Sequence, residues 1–364
     1  MPDAQPTSFM PAERGFASSE RDVRPTHLDD ARSTHHGRAL PLRVGTRGSP
    51  LALTQTRMFL SLLARFCPVL APGARQEQVF QQHVIRTTGD AVQDRRLADI
   101  GGKGLFSKEI HEALLDGRID FAVHSLKDLE TELPPGIVLA CTLRREDARD
   151  ALILGPGCLP ADPTDPLAVL PPGAVIGTNS LRRQAQLLHA RPDLRMALLR
   201  GNVQPRIAKV RGGDCTASLL ALAGLRRLGL HDEAGVVLDP GVMVPAAGQG
   251  IVGITTREDD MELRALLAGI EDPEARAVST AERAMLAYLD GSCRTPIGGH
   301  ARLLPAAAGA KDGVPVLHLT GLVARADGSF LLKRTIHGSA DDARRLGAEL
   351  GASLRADSPR DVFG

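Results

Sequence analysis

The sequence predicts an α/β protein with a small α+β domain at its C-terminal end. From residue 41 onward, short apolar runs of strand length alternate with segments whose apolar residues recur at helical spacing. Two Pro/Gly-rich stretches, 155–173 and 239–250, interrupt that alternation and read as loops. After residue 271 the order changes to one strong helix, two strands and a last helix, which is the pattern of a separate α+β unit.

Residues 1–40 are polar, aperiodic and rich in Pro, Ser, Arg and Asp, and are expected to be a disordered extension. Asp3, Glu13, Glu20, Asp22, Asp29 and Asp30 argue against a transit peptide. A strand is predicted over 42–45 and a helix over 50–66, with Ser49 placed to cap it and Pro50 at its first position. A strand follows over 83–87. Ile110, Ala113 and Leu114 mark a helix over 107–115, and 120–124 reads as a buried strand. Then come a strand at 174–177, a helix at 181–190, a strand at 195–199, a helix at 203–210 and a strand at 218–223. The C-terminal unit is expected to hold a helix over 274–289, stopped by Gly291, strands over 316–323 and 330–336, and a helix over 341–356.

Composition limits the function. A chain of 364 residues is long enough for two or three domains. Its net charge of +1 gives no long-range attraction to nucleic acid or anionic membrane. Aromatic residues make up 3%, with no Trp, too few for a base-stacking platform. No apolar run reaches membrane-spanning length. The cysteines, Cys67, Cys141, Cys158, Cys215 and Cys293, are odd in number and form no CxxC. Neither a disulfide framework nor a metal site is expected, and a reducing, cytoplasmic setting is the simpler reading.

Three turns share one design. Residues 43–50 (RVGTRGSP), 177–183 (GTNSLRR) and 199–206 (LRGNVQPR) each join a strand to a helix and supply free amides, hydroxyl or amide groups and arginines. Helix capping alone uses such residues. Three together suit a ligand bearing several carboxylates or phosphates. Arg182 and Arg183 open a helix, where the macrodipole disfavours cations, and an arriving anion relieves that conflict. The strand at 120–124 runs into Ser125, Lys127 and Asp128, the carboxyl end where ligands of α/β sheets gather. Asp128 reads either as a partner of Lys127 or as a proton-shuttling carboxylate. His124 reads as a core residue. Gly101–Phe106 (GGKGLF) lacks the spacing of a nucleotide loop and reads as a hinge or lid.

Taken in order, LRVGTRGSPLAL, TTGD, GGKGLFSKEI, DFAVHSLKD, REDARDA, VIGTNSLRRQAQL, RPDL, LRGNV, LALAGLRRLGL, PAAGQGIVGI, TAERA and GSCRTPIGGHA resemble the hydroxymethylbilane synthase (porphobilinogen deaminase) family, over about residues 42–299 with a weaker tail. The resemblance implies two periplasmic-binding-protein-like lobes with mixed sheets plus the small C-terminal domain. The implied limits are 41–143 with 251–270, 144–250, and 271–364. It implies a dipyrromethane primer joined by a thioether to Cys293 of GSCRTPIG, and porphobilinogen as substrate. Asp128 becomes the catalytic carboxylate. It stabilises positive charge as ammonia leaves to give an azafulvene, which the α-carbon of the bound chain then attacks. Ser125, Lys127, Thr178, Ser180, Arg182, Arg183 and Lys103 are implied to hold the cofactor. Arg47, Ser49, Arg200, Arg206, Arg227, Phe106 and Gln249 are implied to meet the substrate. A monomer is expected.

Some residues depart from the family pattern: Glu130 follows KDL where proline is common, Pro205 lies inside LRGNV-x-x-R, Thr216 replaces an Asp and Asn179 a Ser. The competing reading is a two-lobed, non-catalytic carboxylate-binding protein. It explains the arginine turns but not GSCRTPIG.

Overall fold

The computed structural model describes residues 40–66, 76–91, 104–290, 295–305 and 315–363. Three sheets organise them. The first holds β1 (Leu42–Thr46), β2 (Phe80–Val84), β3 (Phe121–Ser125), β4 (Ile137–Thr142) and β10 (Val252–Arg257), in the order β2-β1-β3-β10-β4. The second holds β5 (Asp150–Leu154), β6 (Val175–Gly177), β7 (Arg195–Ala197), β8 (Ala217–Ala221) and β9 (Val236–Leu238), in the order β7-β6-β8-β5-β9. Both are mixed: β10 runs antiparallel to β3 and β4, and β5 antiparallel to β8 and β9. The third is the antiparallel meander β11 (Ile297–Leu304), β12 (Val316–Ala324) and β13 (Leu331–Ser339). The chain therefore passes from the first sheet to the second after β4 and returns before β10.

Each lobe sandwiches its sheet between helices. Phe59, Leu60 and Leu63 of the Pro50–Phe66 helix pack on Leu42, Val44 and Phe121, with the Phe59 and Phe121 rings edge to face at 5.5 Å. Ile110, Ala113 and Leu114 of the Lys108–Leu115 helix form a second cluster with Ile119, Ala122 and Ile137. In the C-terminal layer the Pro273–Tyr288 and Ala343–Ala356 helices cover the meander. They approach so closely that a Cβ on Gly347 would stand 2.2 Å from the Ala281 carbonyl oxygen. That core also takes in Leu126, Leu129 and Ile251, so the third layer packs directly beneath the end of β3.

The predicted strand at 83–87 lies instead at Phe80–Val84, because pairing runs from Leu42↔Phe80 to Thr46↔Val84. The predicted strand at 218–223 ends at Ala221, and Leu222–Arg227 is helical. Strands β4, β5, β9, β10 and β11 and the Met261–Ala268 helix add to the predicted elements. The expected N-terminal extension, and Gly291 as a helix stop, lie outside the described residues, apart from Leu40.

The return crossing requires glycine. Gly250 has φ +89, and a Cβ there would meet the Glu146 carbonyl oxygen at 2.2 Å. Gly117 has φ +67 with open space around it. Gly117→Ala is expected to cost about 1 kcal/mol, the intrinsic left-handed penalty. Gly250→Ala should cost well over that, because backbone must also move. Urea unfolding of the two variants checks the difference, and equal losses would contradict it.

Candidate active site

The end of β3 sets the site. Phe121–His124 are buried, and the chain then tightens into a 3-10 turn, Leu126–Asp128. Leu126 and Leu129 are drawn into the C-terminal core. Lys127 and Asp128 lie between those two anchors. Ser125 Oγ donates to Gln55 Oε1 at 3.0 Å, and Lys127 Nζ to Gln249 Oε1 at 3.2 Å. Loss of water around the Lys127 ammonium lowers its pKa to about 8, with Arg183 and Arg182 adding to the effect and Asp128 and Asp150 opposing it.

Arg47, at the end of β1, lies 3.5 Å through Nη1 from Asp128 Oδ2. Its other edge grips Asp90, Nε to Oδ2 at 3.1 Å and Nη2 to Oδ1 at 2.5 Å, and Thr87 Oγ1 donates to Asp90 Oδ2 at 2.8 Å. Its guanidinium stacks 4.1 Å from the Phe106 ring centroid. Burial disfavours the Arg47 charge, but Asp90 and Asp128 together raise its pKa. Ser49 serves as a cap, accepting from the Ala52 amide at 3.2 Å.

The second lobe contributes the ends of β6 and β7. Thr178 Oγ1 accepts from the Ser180 amide at 3.2 Å, and Ser180 Oγ caps the Leu181–Ala190 helix through the Arg183 amide at 3.4 Å. Arg182 and Arg183 do not project freely from this helix start. Both are buried and share the carboxylate of Asp150, at 2.8 Å and 2.7 Å. Arg182 also donates to the Val244 carbonyl and Arg183 to that of Leu219. Gln249 is likewise turned inward, donating to the Ala148 carbonyl at 2.7 Å and to Asp150 Oδ1 at 2.9 Å. The reason is Asp150 itself: a fully buried carboxylate must be paired, and these are its partners. Although burial disfavours its charge, the two arginines hold its pKa well below the ordinary carboxylate range.

Arg200 reaches across to the first lobe, Nη2 to the Gly89 carbonyl at 3.4 Å. Arg206 donates through Nε to the Gly201 carbonyl at 2.8 Å, and Pro205 stands in the first turn of the Val203–Arg211 helix, where proline is tolerated. Arg206 forms no ion pair among the described residues. Burial, then repulsion from Arg183 and Arg200, lowers its pKa to about 10 against the pull of Asp128. Arg227 sits against the crossing, donating to the Gly250 carbonyl at 2.6 Å. Cys293 and Lys103 lie outside the described residues.

The sequence reading assigned no role to Asp150, Asp90 or Gln55. Asp150 heads the apolar strand ALIL, and an acid there in an arginine-rich chain is the signal that internal pairing leaves. Asp90 and Gln55 carried no local signal, since their partners are remote in sequence.

Among the described residues the assembled site holds more cations than carboxylates. Arg47, Lys127, Arg182, Arg183, Arg200 and Arg206 are gathered around Asp90, Asp128 and Asp150. Arg183 Nε, Arg227 Nε and Asn179 Oδ1 are buried without a hydrogen-bond partner among the described residues. No cluster of metal-ligating side chains occurs among the described residues. A cluster so rich in cations fits a polycarboxylate.

Two family models match the chain: "Porphobilinogen deaminase, dipyromethane cofactor binding domain" over residues 42–265, and "Porphobilinogen deaminase, C-terminal domain" over 277–356. The chain belongs to the porphobilinogen deaminase family. Family members similar to it include the porphobilinogen deaminase of Nitrobacter winogradskyi, 48% identical over 88% of this chain and 94% of the relative. That of Paracoccus denitrificans is 44% identical over 89% and 96%. The chloroplastic enzyme of Oryza sativa subsp. japonica is 44% identical over 88% and 85%. The matched first model spans both lobes of the crevice, so its dipyrromethane-binding domain is the region in which the cations converge.

His124 lies under the site, its Nε2 2.9 Å from Thr255 Oγ1. Burial, then the nearby His111 and Arg47, bring its pKa down to about 3. It is neutral in the fold, whereas the unfolded chain takes up a proton near pH 6.5. The contribution of this histidine to stability is therefore fully present above pH 6.5 and is lost as the pH drops toward the folded value, by up to about 1.4 kcal/mol per pH unit. Urea unfolding at pH 7.5 and pH 5 should show a shallower acid slope in His124→Gln. An unchanged slope would contradict the assignment.

Proposed function

We propose that this chain performs the family reaction with Cys293 as the attachment point of the primer and Asp128 as the carboxylate that handles protons. The reaction is stepwise, deaminative, head-to-tail condensation of four porphobilinogen molecules onto the primer, after which one water cleaves the bond to the primer and releases the tetrapyrrole as hydroxymethylbilane. Each addition breaks one C–N bond, releases ammonia, forms one C–C bond and removes one proton from the attacking carbon. When bound, the dipyrromethane supplies the pyrrole α-carbon on which the chain is built. One observation carries this reading: Asp128 is a partly exposed carboxylate at the end of the central strand, facing Arg47 inside a crevice with surplus positive charge.

Asp128 accepts the pyrrole N–H groups and the proton that leaves carbon, and Arg47 keeps that carboxylate oriented. Arg206, Arg200 and Lys127 meet the acetate and propionate groups, together with Ser125, Thr178 and, from outside the described residues, Lys103. Phe106 lends its ring face to Arg47 and its edge to the bound chain. Arg182 and Gln249 serve from behind. By saturating Asp150 they fix Arg183, whose Nε is left without a partner among the described residues, and Lys127. Ser49 and Ser180 start the two helices whose free amides point toward the ligand, and Arg227 steadies the crossing.

We further propose lobes at 41–143 with 251–270 and at 144–250, and a third domain at 271–364. The division of the strands into three sheets supports these limits. A monomer is proposed. No helix among the described residues is long and apolar enough to cross a membrane. The free thiols of Cys141, Cys158 and Cys215 suit a reducing cytoplasm.

Intact-mass measurement of denatured protein from cells that make porphobilinogen should show an adduct of two condensed porphobilinogen units, absent from Cys293→Ser. An unmodified wild-type polypeptide would favour a carboxylate receptor. Asp128→Asn should keep the cooperative unfolding of the wild type while turnover falls at least about a hundredfold. Near-normal turnover would remove Asp128 from its role.

A further inference from the structure

Glu130, which stands where the family pattern commonly has proline, is built into the site's scaffold. Its carboxylate lies against the 104–107 turn: Oε2 accepts from Ser107 Oγ at 2.7 Å, and a Cβ on Gly104 would meet Oε1 at 2.2 Å. Ser107 is buried at the head of the Lys108–Leu115 helix, the position where a serine normally accepts from the helix's own amides. Here it makes no such cap and gives its proton to Glu130 instead. The backbone behind Glu130 is fixed from the third domain. Arg283 donates to the carbonyls of Leu129 at 3.2 Å, Glu130 at 2.6 Å and Thr131 at 3.1 Å.

The turn that Glu130 holds carries Phe106. That ring packs on Gly89, where a Cβ would stand 2.3 Å from it, and its face carries the Arg47 guanidinium at 4.1 Å. The Gly89 amide donates to the Leu105 carbonyl at 2.7 Å. A continuous path of contacts therefore runs from Glu130 through Ser107 and Phe106 to Arg47, which faces Asp128. His111, one helical turn beyond Ser107, is buried with both ring nitrogens unpartnered among the described residues. Burial keeps it neutral against the opposing field of Glu130, so no cation competes with Ser107 for the carboxylate from that side.

We propose that Glu130 is a positioning residue for substrate binding, holding the 104–107 turn so that Phe106 sets Arg47 to receive a substrate carboxylate. The role is geometric: an acceptor oxygen is needed at Glu130, and its charge is not.

This inference rests on the substrate-binding role proposed for Arg47, and the experiment separates the two. Steady-state kinetics with porphobilinogen are measured for wild type, Glu130→Ala, Ser107→Ala and Glu130→Gln, with the covalent adduct checked by mass. Both alanine variants should raise KM roughly threefold to tenfold with kcat within about twofold, the pattern of lost binding without lost chemistry. Glu130→Gln, which keeps the acceptor oxygen, should stay within about twofold of wild type in both constants. Should Glu130→Ala fail to fold, Ser107→Ala decides alone. An unchanged KM in the folded alanine variants overturns the inference. So does a fall in kcat at constant KM, or a Glu130→Gln variant as impaired as Glu130→Ala. A wild-type protein with neither adduct nor turnover overturns the proposed function instead.

Discussion

The structure turns on holding like charges close together in a space largely removed from water. Two unit charges about 5 Å apart repel by about 3 kcal/mol at an effective dielectric near 20. Several guanidinium groups and one ammonium converge here. The molecule meets the cost by sharing ion pairs among few groups. Asp150 divides its two oxygens between Arg182 and Arg183, and Asp90 takes one edge of Arg47 and leaves the other to Asp128. Backbone carbonyls of Val244, Leu219, Gly201 and Gly250 accept from the remaining donors without adding negative charge. Among the described residues the site is still short of anions, with Arg206 and Lys127 held below their ordinary pKa values by burial and by their neighbours. An acidic ligand completes that balance.

This arrangement divides the arginines into two kinds. Arg182 and Arg183 are anchored within the protein on Asp150, which also accepts from Gln249. Arg47 lies between Asp90 and Asp128, whereas Arg206 forms no ion pair among the described residues. A buried ion pair of the Asp150 type contributes little net stability, because desolvating the charges offsets their attraction. Its value here is orientation: one carboxylate sets the positions of Arg182, Arg183 and Gln249, and through Gln249 that of Lys127.

The C-terminal layer supplies the rigidity. Glu282, fully buried, accepts from Arg145 and from the amides of Gly248 and Ala301, which ties the helix of the third layer to the return crossing. Arg283, the next residue, clasps the carbonyls that follow Asp128. The Asp128 turn is thus held from below by Leu126 and Leu129 and from beyond by Arg283, while its polar side chains stay toward the lobes.

The sequence by itself determined the α/β class, the helices at 50–66 and 181–190 to the residue, and the segments that bear the chemistry, because periodicity, helix caps and short motifs are local properties. It also marked the three arginine turns as anion-seeking, and Asp128 as either a Lys127 partner or a proton-shuttling carboxylate. It did not determine which arginines face a ligand. Arg182 and Arg183 are adjacent and chemically identical, and only Asp150, brought alongside by the pairing of β5 with β8, shows that both are anchored inside. Strand β10 likewise carried no mark of its place between β3 and β4, since antiparallel insertion depends on the chain returning from the second sheet. Burial and pairing are settled between residues far apart in sequence, and for those the tertiary structure alone decides.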